Sequence, residues 1–162
     1  MSLGGRPVIK NMKVAVAAAA VAVLAIGVAS VATPSPEGTA AIKARHEAME
    51  GIGDALGPLA AIAKGEAPFD SAVVEKNAGT IAENLKKAAT LFPEGSDKGD
   101  VETWAKEEIW SNSADFAMKM QTARAQAEAL QAVTDEAAFR PALGKLGNSC
   151  KSCHMDYRRP KQ

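Results

Sequence analysis

The sequence predicts an all-α fold: an antiparallel up-down four-helix bundle whose functional site sits on the C-terminal helix. Three observations carry that expectation. Alanine dominates an apolar fraction of 47% while aromatics supply only 4%, a balance that favours helix and lets helices approach closely. Apolar residues recur at three- and four-residue spacing in four separate stretches. No stretch carries the alternating signal of a half-buried strand.

At 162 residues the chain suits one domain with some length to spare. Residues 1–13 are polar and positively charged, and Val14 to Ala29 is an unbroken apolar run of mostly Ala and Val. Ser30-Val31-Ala32 then places small residues where a signal peptidase reads, so residues 1–32 have the three parts of a secretory signal peptide. The run falls short of the ~20 residues a spanning helix needs, which favours cleavage after Ala32 over a retained anchor. Met12-Lys13 would itself make a compact signal start, leaving residues 1–11 as an upstream extension. Export to the periplasm is the expected localisation.

Residues 33–36, with their Pro-x-Pro, read as a linker, and residues 37–162 as the helical domain. The first helix is expected from Glu37 to about Lys64, with Ile42, Met49, Ile52, Leu56 and Leu59 on one stripe and Arg45 among them. Gly51, Gly53 and Gly57 weaken this helix and are expected to mark close approach by another helix or a flat ligand. After Gly65-Glu66-Ala67-Pro68, Phe69-Asp70 looks like a staple residue and N-cap. The helix it opens directs Val74, Ala78, Ile81, Leu85 and Ala88 inward and ends by Pro93. Residues 93–100 are turn-formers. A short helical turn is expected over Glu102 to Ile109, and a third long helix from Ser113 to Val133 carrying Phe116, Met120, Ala123, Ala127 and Leu130. Thr134 or Asp135 caps the last helix, whose stripe is Phe139, Leu143, Leu146, Cys150, Cys153 and Tyr157. Pro141 lies early in it, where a missing donor costs least.

Charge excludes one class of partner. Of the 19 basic residues, Arg6, Lys10 and Lys13 lie within residues 1–32; setting them aside leaves 16 against 19 acidic side chains. A mildly acidic domain without a long basic stripe does not read as a nucleic-acid binder. Nor does the sequence hold a Ser/His/Asp set, a phosphate-cradling glycine loop or a second metal cluster. The protein is expected not to be an enzyme.

The chemistry concentrates in Cys150-Lys151-Ser152-Cys153-His154, the C-x-x-C-H pattern of covalent haem attachment. Residues three and four apart share a helix face, so both thiols and the imidazole look one way. Two thiols at that spacing suit the two vinyl groups of one porphyrin edge, and the adjoining imidazole suits the iron. Zinc would need four ligands from a chain with two Cys and two His. A thioredoxin-like dithiol would sit near a βαβ pattern, and none is visible. An alanine-rich core is also shallow, and a large flat apolar cofactor would supply the missing buried area.

The chain resembles the class II c-type cytochromes: the cytochrome c′ family and its low-spin relatives. The matching residues are Arg45-x-x-x-Met49, Ala63 to Asp70, Leu91-Phe92-Pro93, Ile109-Trp110, Phe116, and Cys150 through His154 to Tyr157-Arg158. The resemblance spans residues 37–159. It implies one covalently bound haem c, with Cys150 and Cys153 as thioether ligands and His154 as proximal iron ligand. Arg45 and Arg158 match basic positions near the haem propionates, with a solvated charge as the alternative reading of each. Trp110 and Phe116 would pack around the porphyrin, or equally serve as ordinary core. Met49 matches the distal site, where low-spin members use a Met as sixth ligand and cytochrome c′ proper leaves the iron open. The first case implies an electron carrier with small redox proteins as donor and acceptor. The second implies a five-coordinate site binding NO or CO. His46, just off the stripe, is a third candidate ligand but reads more simply as solvent-facing. The resemblance also raises a homodimer through the first two helices.

Overall fold

The computed structural model describes Met1 and residues 35–160. The expected signal peptide and residues 33–34 lie outside the described residues, apart from Met1. None of the helices among the described residues is long and apolar enough to cross a membrane.

Helix α1 spans Pro36–Lys64. Ser35 is its N-cap, with an extended backbone and a side-chain oxygen accepting from the Gly38 N–H at 2.9 Å. Pro36 takes the first helical position, where a missing N–H is harmless. The helix therefore starts inside the stretch read as a linker. Gly65 closes it in the left-handed conformation, φ 78°, returning its N–H to the Ala61 and Ile62 carbonyls.

Helix α2 (Ser71–Ala88) opens on Asp70, whose carboxylate accepts from the Ala72 and Val73 N–H groups. Helix α3 is a four-residue turn, Glu108–Ser111. Helix α4 spans Ser113–Gln131 and α5 spans Glu136–Tyr157, the latter capped by Asp135 through the Ala138 N–H at 2.9 Å.

Two expectations are corrected here. The helical turn expected over Glu102 to Ile109 is displaced to α3, because residues 104–106 spend their backbone groups on the chain end. Lys106 N–H donates to the Tyr157 carbonyl at 3.0 Å, Arg159 N–H donates to Trp104 at 2.7 Å, and Ala105 bridges to Arg158. A segment bonded sideways in this way cannot close helical turns. The glycines of α1 also differ among themselves. A Cβ on Gly51 would lie 3.1 Å from the Asn84 amide of α2, so this position is a close approach. Gly57 faces open space; it precedes Pro58, whose ring crowds any preceding Cβ in a helix.

The long helices form an antiparallel four-helix bundle. α1 packs on α2, α2 on α4 and α4 on α5. Phe139, Leu146, Leu59, Ile81 and Leu130 are fully buried along these seams. α1 and α5, which complete the ring, have no comparable seam. They are tied where α1 ends and α5 begins: Arg140 donates to the Ala63 carbonyl, and the Phe69 and Phe139 rings meet at 5.8 Å. Further along, the two helices flank a cavity.

Candidate functional site

The cavity measures about 580 Å³, within the roughly 300–1,000 Å³ usual for cofactor sites. Ile52 and Leu56 of α1, Leu85 of α2, Ile109 of α3, and Phe116 and Met120 of α4 give it an apolar wall. Cys150, Cys153 and His154 border it from α5. The helical spacing of the motif thus delivers its three reactive side chains to one space, as the sequence predicts.

Burial governs the chemistry of these groups. Desolvation pushes the Cys150 thiol up, and Cys153 up to about 11, the latter against the attraction of nearby Lys119. A dithiol built for exchange has its thiolate favoured, so this pair is set up in the opposite sense. Among the described residues no group of three His, Cys, Asp or Glu is placed to hold a metal ion. The zinc and redox-dithiol readings both lose ground. His154 reaches the surface, yet the adjoining wall desolvates its ring and holds its pKa below the usual value, with Arg158 adding repulsion. Its neutral form carries the lone pair that a metal requires.

From α1, Met49, Arg45 and His46 reach the same cavity. Arg45 is only 4% exposed, which ends its reading as a solvated charge. Its Nη2 donates to the Ser96 carbonyl at 2.6 Å and its Nη1 to the Ser96 hydroxyl at 3.4 Å. The guanidinium also lies over the Phe92 ring at 4.7 Å. Burial lowers its pKa to about 10, with Asp97 acting the other way, so it stays charged at neutral pH.

His46 is not simply solvent-facing. It is half-buried and stacks on Trp104 at 5.1 Å, and Arg158 lies over the same indole at 5.7 Å. This layer joins α1 to the end of α5 through the 101–107 segment, on the side where the helices themselves do not pack. Trp104 was not among the candidates from sequence, because a lone aromatic in an aperiodic stretch carries no face. Phe116 lines the cavity as expected. Trp110 stands behind that wall, edge-on to Phe92 at 6.1 Å with its indole N–H donating to Pro93 at 3.0 Å.

Beneath the motif, α4 and α5 are joined by polar groups. The Tyr157 hydroxyl donates to Asp115, and Lys119 pairs with Asp156 at 2.9 Å and bonds Ser152 at 3.2 Å. Tyr157 is buried, and desolvation followed by its bond to Asp115 pushes its pKa up to about 12.

These residues fit a covalent haem. Two neutral thiols, a neutral imidazole and an apolar chamber meet the needs of a porphyrin edge, an iron and a macrocycle, while Arg45 and Arg158 border the same chamber as cations.

Comparison with known proteins agrees. A family model described as Cytochrome C′ matches residues 40–158. The chain is 40% identical over 124 residues to cytochrome c′ of Rhodopseudomonas palustris, covering 76% of this chain and 84% of that protein. It is 39% identical over 122 residues to cytochrome c-556 of Agrobacterium fabrum, covering 74% and 82%. Among solved structures it is similar to a nitric oxide complex of a mutant cytochrome c′ from Alcaligenes xylosoxidans. There the TM-score is 0.68 and the identity 32%, over 75% of this chain and 95% of that one.

Proposed function

Since the chain belongs to the cytochrome c′ family and carries that family's single covalent haem c, we propose that it is a periplasmic electron carrier with Met49 as the sixth iron ligand. One observation carries this reading. A thioether from α1 and an imidazole from α5 border one cavity, on the two helices that the bundle keeps apart. Bound haem supplies a one-electron couple.

The chain's own residues do the rest. Cys150 and Cys153 would hold the macrocycle and His154 the iron. Ile52, Leu56, Leu85 and Phe116 exclude water from the chamber. Arg45 sets a buried positive charge at its border, held in place by Ser96. The packed seams of α1 on α2, α2 on α4 and α4 on α5 hold Met49 and His154 on rigid supports, which would limit their rearrangement when the bound haem changes oxidation state. In this reading the protein carries electrons and turns over no substrate.

A second reading is favoured by the half-buried state of Met49 and by the nitric oxide complex of a relative. A flexible thioether fills irregular space as readily as it ligates. In that case the distal side would take NO or CO.

The ferric spectrum of the purified holoprotein separates the two. The carrier reading expects low-spin iron with a methionine-to-iron charge-transfer band, abolished by Met49→Leu with covalent haem retained. High-spin iron that takes up NO readily would assign the gas-binding role instead. Low-spin iron unchanged in Met49→Leu but lost in His46→Ala would transfer ligation to His46.

A further inference from the structure

Beside the cavity, on the outer side of the last turn of α5, a second concavity of about 480 Å³ opens around His154 and Met155. Lys106, Lys151, Arg158 and Arg159 line it, and among the described residues no carboxylate does. This is a marked local departure for a domain with 16 basic against 19 acidic residues beyond residue 32. The acid next along the helix, Asp156, is engaged by Lys119 of α4 at 2.9 Å. Among the described residues none of the four cations belongs to an ion pair.

Two of them are fixed by carbonyls rather than by acids: Lys106 Nζ donates to Met155 at 3.1 Å, and Arg159 donates to Thr103. Positioned cations keep their charge for a partner and lose less freedom on binding. Met155 is 67% exposed among them. An exposed apolar side chain ringed by cations and next to the iron-binding histidine is composed like a small protein interface, where Met and Arg are enriched. A small-anion site would bury its cations, whereas Lys151 and Arg159 are exposed.

We propose that this basic mouth docks an acidic one-electron redox protein, with Met155 as the apolar contact beside His154. The proposal rests on the electron-carrier reading and names the partner's chemistry. In each encounter one electron passes between the partner and the bound haem, and no bond forms or breaks. Charge at the rim acts mainly on the rate of encounter and on its salt dependence.

Stopped-flow oxidation of the reduced holoprotein by two small probes tests the sign of the surface. Ferricyanide, an anion reduced to ferrocyanide, should slow roughly tenfold as salt rises from low to high, while tris(phenanthroline)cobalt(III), a cation, should not slow. Lys106→Glu with Lys151→Glu should cut the low-salt ferricyanide rate roughly 3–10-fold, against less than twofold for the remote Lys76→Glu. Lys151 lies inside the attachment motif, so Lys106→Glu with Arg159→Glu serves as a second variant, each checked for covalent haem by pyridine haemochrome. Calorimetric titration with poly-L-glutamate should show binding by the wild type and none by either double variant. Equal salt dependence for the two oxidants, or variants that match the wild type, would overturn the proposal. So would binding to phosphatidylglycerol vesicles without binding to poly-L-glutamate. The spin state reports separately: high-spin iron would remove the carrier reading, while the salt and titration data judge the docking surface alone.

Discussion

The α2–α4 seam and the α1–α5 gap draw on the same alanine-rich sequence but are filled differently. In the seam, Val74, Ala78 and Ile81 meet a helix carrying Ala127 and Leu130, and all five are fully buried. Small side chains at helical spacing let the backbones close, and the protein completes that interior by itself. Along the gap, Met49, Leu56 and Cys150 are only half-buried and border a cavity. Its ends are tied by different means: Arg140 and the Phe69–Phe139 pair at one end, the His46–Trp104–Arg158 layer at the other. The closed seams are the frame and the gap is the site. A fourth helix–helix seam would have left no room for a macrocycle between the thiols of α5 and the thioether of α1.

Four substitutions test that contrast. Phe139→Ala, at the tied end, should give the largest effect: a loss of about 3–5 kcal/mol in denaturant unfolding of the holoprotein. Phe116→Ala, at the cavity wall, should cost less in stability and instead move the haem absorption spectrum. If both cost the same and neither moves the spectrum, frame and site are not separate. Arg45→Met should come next, costing about 1–3 kcal/mol because the Ser96 carbonyl loses a charged donor in a buried place. Heat or denaturant unfolding gives the magnitude, and an unchanged midpoint would mean that Arg45 does not anchor the 93–100 loop.

The smallest effect at neutral pH is that of Tyr157→Phe, and it is visible as a pH dependence. The folded-state pKa of Tyr157 is raised to about 12 from an ordinary value of 10. The folded protein therefore holds this proton more tightly than the unfolded chain does. The resulting stabilisation is fully present below pH 10 and is lost as pH rises through 12. Denaturant midpoints of wild type and Tyr157→Phe, compared between pH 8 and 12, should converge across that window. A constant difference would show that the Tyr157–Asp115 bond does not hold the end of α5 to α4.

Much of this molecule was legible from local chemistry. Asp70, Asp135 and Gly65 punctuate helices because caps are set by neighbours in sequence. Cys150, Cys153 and His154 share a face because three and four residues make about one helical turn. Other features were beyond such reasoning. A surface charge stays open as a reading of Arg45 until Ser96, 51 residues away, is found to hold it. The 102–107 stretch reads as helical until the tail at residues 157–159 claims its backbone groups.

The sequence alone determined the number of long helices, most of their limits, the attachment motif and the face it presents, since each follows from periodicity and adjacency. The fold alone settled which helices stay apart, which arginine is buried, that Trp104 and His46 border the cavity and that Trp110 stands behind its wall. Those depend on meetings between residues tens of positions apart, and a linear pattern carries no record of such distances.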